Sequence, residues 1–140
     1  MNYSKEFNEV MEKTINMALA TSVDNSPNVR IVNFCYDAKT PGIIFFSTCR
    51  DNLKVSEFAK NSIVALSTIP AEGIAHVRTQ NATVRKSSRS LEELKSLFLA
   101  QIPDFSETLE QIGDELDVYE VHMKSATIIL GYDQQETFTF

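Results

Sequence analysis

The sequence predicts a mainly β fold, a small antiparallel barrel with helices packed around it. Five short apolar or alternating runs fill residues 17–85, separated by turn-forming residues and interrupted by only one short helical segment. Longer helical patterns are confined to the beginning of the chain and to residues 90–112. With 140 residues the chain makes a single domain, residues 1–140, large enough for a sizeable core yet small enough to gain from a partner subunit.

In order along the chain, Phe7, Val10, Met11 and Ile15 share one helical face, which predicts a helix over about residues 4–15 with Ser4 as its cap. Met17 to Val23 reads as a strand, and the turn-rich Asp24-Asn25-Ser26-Pro27 ends it. Val29 to Tyr36 is its hairpin partner across a loop of four or five residues. After the turn at residues 37–42 comes the apolar strand from Ile43, then a short helix opened by Asn52. Ile63 to Ile69 and Ile74 to Arg85 are two further strands, joined around Pro70 and Gly73. Ser90-Leu91-Glu92-Glu93 is a capping box that starts an amphipathic helix, and Pro103 breaks it. Phe105, Leu109 and Ile112 mark another short helix before Gly113. The alternation of Val118 to Met123 and the apolar run Ala126 to Leu130 read as one or two closing strands, and Thr137–Phe140 as a terminal strand.

Charge is unevenly spread. Residues 1–86 carry 10 basic and 8 acidic side chains, residues 87–140 carry 3 and 11, and the net charge is −6. An acidic chain with an acidic second half suits neither nucleic acid nor an anionic membrane surface. Cys35 and Cys49 are the only cysteines, with no CxxC and no histidine at metal-ligand spacing, which argues against zinc. The start of the chain lacks an apolar signal region, and no run approaches membrane-spanning length. Together these features predict a cytoplasmic protein with two free thiols, no metal and no membrane or nucleic-acid partner.

The most informative stretch runs from Gly42 to Asn61. A buried strand, Ile43 to Phe46, passes at once into Ser47 and Thr48, then Arg50, Asn52 and Lys54, with Val55, Phe58 and Ala59 spaced as a short amphipathic helix. Strand, polar turn and helix start gather hydroxyls, cations and helix N–H groups at one point, which suits a phosphate. The same composition also occurs at ordinary strand–helix junctions. It is not a Walker loop, since no glycine follows Gly42 before Gly73.

Three motifs in this order resemble the pyridoxamine 5′-phosphate oxidase-like FMN-binding split barrels: Arg30-Ile31-Val32 on a hairpin, Phe46-Ser47-Thr48 ending a strand, and Asn52-Leu53-Lys54 opening a helix that ends at Asn61. The resemblance covers about residues 5–130. It implies a six-stranded antiparallel split β-barrel with peripheral helices, forming a homodimer with FMN in the clefts between subunits. Arg30, Ile31 and Val32 would lie along the flavin ring, partly through main-chain groups. Ser47 and Thr48 would face the ribityl and phosphate, with Asn52 and Lys54 on the phosphate. His76 falls where the family often has a glutamine near the flavin, although a surface or core histidine with no ligand is the simpler reading.

The chain departs from the oxidase proper. Leu53 stands where an arginine adjoins the phosphate lysine, and Arg50 would have to reach in its place. Asn81 replaces the usual glycine of the fifth strand, and the Trp- and Arg-rich C-terminal substrate region is missing. The expectation is therefore a short relative without the vitamin site, acting as an FMN-dependent oxidoreductase on a small molecule, the redox chemistry belonging to the flavin. Two other readings are a non-catalytic binder of flavin, haem or deazaflavin, and a stress-associated dimer with a degenerate cofactor site. His76 and His122 are the only histidines, so no Ser/His/Asp set exists. Arg78 or Arg85 would serve an anionic substrate or simply face solvent.

Overall fold

The computed structural model describes residues 2–140. Helix α1 (Tyr3–Lys13) is capped by Asn2, whose side chain accepts the Lys5 N–H at 3.1 Å, so the cap lies two residues before the expected Ser4. It buries Phe7 and Met11. Strands β1 (Asn16–Val23) and β2 (Ser26–Asn33) pair antiparallel with Val23 opposite Ser26. Their loop is only Asp24-Asn25, shorter than the predicted four or five residues. Both have positive φ, 52° and 63°, the left-handed pair that matches strand twist and that Asp and Asn tolerate. Pro27 sits inside β2, where an edge strand tolerates the missing N–H.

The chain continues through β3 (Cys35–Tyr36), β4 (Ile43–Cys49), α2 (Leu53–Lys60), β5 (Ile63–Ile69) and β6 (His76–Lys86). Then come α3 (Leu91–Gln101), with the predicted Ser90–Glu93 capping box, α4 (Phe105–Ile112), and strands β7 (Leu116–His122), β8 (Ser125–Gly131) and β9 (Gln134–Thr139). The sheet order is β2-β1-β5-β6-β7-β4-β3, with β8 pairing β6 and β9 pairing β8.

Six long strands, β2 to β4 along that path, are the predicted barrel, but among the described residues the sheet has nine strands in all. The second hairpin strand breaks at Phe34 into β2 and β3, and the C-terminal segments form their own hairpin on the first half of β6. Besides β5, β6 serves both β7 and β8 because a bulge opposite Val64–Leu66 turns it, with Asn81 at φ 56°. Only glycine or a residue such as asparagine accepts that φ cheaply, which explains how Asn81 can occupy a glycine position.

The two ends of the sheet path, β2 and β3, are consecutive in the chain, so the sheet curls back on itself. Among the described residues β2 pairs with β1 alone, and the barrel stays split between β2 and β4. Met17, Leu19, Phe34, Ile44, Phe46, Val77 and Val121 fill the interior. A second apolar cluster, Cys35, Phe45, Leu94, Phe98, Ile102, Phe105 and Val118, seals α3 and α4 onto the outside of β3, β4 and β7.

Candidate functional site

Period-two alternation decides which predicted residues meet. On β1, Met17, Leu19 and Thr21 point inward, and on β2 the inward residues are Arg30 and Val32. On β4, Phe46 and Thr48 take the inward side while Phe45 packs in the outer cluster. Arg30 and Thr48 therefore converge at the split, and α2 lays Lys54 and Glu57 over them.

Lys54 Nζ donates to Thr48 Oγ1 at 2.8 Å and, among the described residues, has no carboxylate partner. Burial first, then the nearby Arg30 cation, lower its pKa below the ordinary lysine value, and only the Cys49 thiol works the other way. Arg30 is differently placed. Its guanidinium forms an ion pair with Glu57 and donates to Thr21 Oγ1 at 3.0 Å and to the Leu19 carbonyl at 3.3 Å. The Arg30 and Glu57 side chains are 19% and 14% exposed, enclosed enough for the pairing to hold. Glu57 also accepts from Thr21 Oγ1 and from Asn28 Nδ2, both at 3.2 Å. Burial pushes its carboxyl up, but Asn28, Arg30 and Thr21 outweigh that and hold it below the usual carboxylate range.

The other candidates lie apart from this group. Ser47 alternates with Thr48 and faces the side on which Phe45 packs. Arg50 donates to Asp117 Oδ1 at 3.1 Å and to the Asp114 carbonyl at 2.8 Å, which ties it to the start of β7. Asn52 caps α2: its side chain takes the Lys54 N–H at 3.1 Å and its carbonyl the Val55 N–H at 3.0 Å, leaving few helix amides for a ligand. Leu53 points to solvent. Ile31 and His76 lie on the opposite face of the sheet, and His76 Nδ1 is 2.6 Å from the Ile74 carbonyl.

That outer face has its own feature. A groove of about 740 Å³ runs over β1, β5, β6 and β8, with Ala18, Ala20, Ala65 and Ser67 as its floor and Arg78 and Thr127 at its side. Val29 also lines it and Ile31 stands next along β2, each 61% exposed. Edge strand β2 lies between groove and split, and its free edge offers unpaired main-chain groups.

Glu57, Thr21 and Asn28 escape a reading based on motifs. A signal for Glu57 exists in its spacing, since it stands three residues after Lys54 on one helix face. Thr21 is the polar member of the inward 17-19-21 series.

Among the described residues no helix is long and apolar enough to cross a membrane. No curated protein sequence matches the chain. Among solved structures it is similar to a heme binding protein from Mycobacterium smegmatis, with a TM-score of 0.74 and 14% identity, covering 99% of this chain and 58% of the other. The chain thus spans little more than half the length of that relative. A NimC/NimA family protein from Clostridium acetobutylicum gives 0.66 at 20% identity, covering 99% and 90% of the two chains. A FAD-binding protein from Mesorhizobium loti gives 0.67 at 11% identity, covering 96% and 93%. These likenesses establish the fold. The family model described as pyridoxamine 5′-phosphate oxidase-like matches residues 10–135, nearly the whole chain, and the protein belongs to that family.

Proposed function

We propose that the protein binds FMN at the barrel split and acts as a flavin-dependent oxidoreductase on a small molecule, as a homodimer. The observation that carries this reading is Lys54, half-buried, held by Thr48, and free of any carboxylate partner among the described residues. A lysine costs free energy to enclose without a counter-charge, and a ligand anion supplies one. Thr48 and Lys54 would hold the phosphate, and the free edge of β2 along Arg30, Ile31 and Val32 would offer main-chain groups to the ring. When bound, the flavin supplies hydride and electron transfer. The chain's own residues bind and orient it.

Dimerisation has separate support. A sheet face bearing Val29 and Ile31, uncovered by any helix among the described residues, is costly in water and suits a second copy of the chain. Light scattering should give twice the 15.8 kDa chain mass. A monomer at micromolar concentration removes the shared cleft.

The decisive experiment is the absorption spectrum of the purified protein, followed by release and identification of the chromophore. A flavin spectrum with FMN released supports the reading. Haem, or failure to take up added FMN, overturns it.

A further inference from the structure

The charge inventory of the split reaches beyond flavin binding as such. Two cations face it, Arg30 from β2 and Lys54 from α2, and one carboxylate, Glu57, also from α2. The remaining polar side chains there are the neutral Thr21 of β1, Asn28 of β2 and Thr48 of β4, and the Cys49 thiol at the end of β4 is near enough to influence Lys54. Arg50 is committed to Asp117, and position 53 is a leucine. Glu57 uses up Arg30, so one positive charge is left over.

Resting on the flavin reading above, we infer that Glu57 makes the split a site for a singly charged oxyanion: FMN is held through the monoanion of its phosphate, and Glu57 sets that preference. A phosphomonoester dianion beside Glu57 would set three negative charges against two positive ones in a partly enclosed space. Expelling Glu57 instead would strip a carboxylate of Thr21, Asn28 and Arg30 together. Keeping one proton on the phosphate is the cheaper solution, because its second ionisation lies near pH ~6. A phosphodiester or carboxylate tail carries the same single charge and shares this chemistry.

The test uses the full-length protein with FMN and riboflavin as probes. Phosphorus-31 NMR of FMN bound to the wild-type protein should show the second ionisation of the phosphate moved above its free value of about 6. A downward move overturns the inference. In parallel, flavin fluorescence titrations give the FMN-to-riboflavin affinity ratio, which cancels pH effects on the protein common to both ligands. In the wild type that ratio should fall roughly tenfold between about pH 5.5 and about pH 7.5, as the monoanion is depleted. In Glu57→Gln, whose amide keeps hydrogen-bonding partners in Thr21 and Asn28, the ratio should stay level or rise with pH. The same fall in Glu57→Gln would show that Glu57 does not set the preference, even with FMN bound. If neither flavin binds the wild type, the flavin reading itself falls.

Discussion

Strand β4 separates two unlike environments. On its outer side Phe45 joins Cys35, Leu94, Phe98, Ile102, Phe105 and Val118 in a seam made entirely of apolar or thiol side chains. At its other end Thr48 enters a group that holds two cations and a carboxylate. The seam is accounted for by stability alone: it removes apolar surface from water and leaves nothing over. The split is different, because Arg30 and Glu57 satisfy each other and Lys54 is left with a hydroxyl. Folding alone gives no reason to enclose that ammonium, and this contrast is what the proposed flavin reading rests on.

The largest expected effect tests the stability side of the comparison. Phe98 is fully buried, and Phe98→Ala should cost about 3–5 kcal/mol in denaturant unfolding. The preference for FMN over riboflavin should not change. If that preference shifts, the two regions are not separable.

The cysteines report on the same division. Burial, aided by Asp37, pushes the Cys35 thiol up from 9.0 to about 12, a loss of about a thousandfold in thiolate. Cys49 is only partly buried and near enough to Lys54 to act on its charge. Native labelling with a thiol reagent should therefore find one reactive cysteine per chain, and denaturation should release the second. Added FMN should slow the first. Equal native rates at both positions would contradict the closed seam.

Lys54→Ala removes one charge-assisted contact of about 1.5–3 kcal/mol and should weaken FMN roughly tenfold to a hundredfold. Riboflavin, lacking the phosphate, should be nearly indifferent. Equal losses for both ligands would make Lys54 a structural residue.

The smallest effect comes from acid. Because the folded state holds Glu57 below its ordinary value, its contribution is present above the unfolded pKa and is lost as pH falls through the folded one. The wild type should thus lose stability on acidification through that range. Glu57→Gln should remove part of the dependence, by under about 1 kcal/mol, since exposed charge pairs contribute little and this one is only partly enclosed. Identical acid unfolding curves would show that the pair adds nothing to folding.

The sequence by itself determined whatever depends on neighbours a few residues away. The Ser90 capping box, the Asn52 cap of α2, the strand of Ile63–Ile69 and the break at Pro103 are all local patterns, and each is found where its residues predict. The order of strands was enough to predict a small antiparallel barrel, and the motifs at Arg30–Val32, Phe46–Thr48 and Asn52–Lys54 carried the resemblance to the family and its split barrel. Within the site, Lys54 and Thr48 are six residues apart, near enough for one strand–turn–helix unit to bring them together. Tertiary structure decided the rest. Arg50 meets Asp117 across 67 residues, and Arg30 meets Glu57 across 27. No local period encodes such pairings, because they depend on how the sheet curls and where α2 lands. Ser47 and Thr48 look alike in sequence, yet the pleat sends them to opposite faces. The physical reason is common to all of these: backbone propensity acts over one turn or one strand, whereas the partner of a charge is chosen by which surfaces the closed fold presses together.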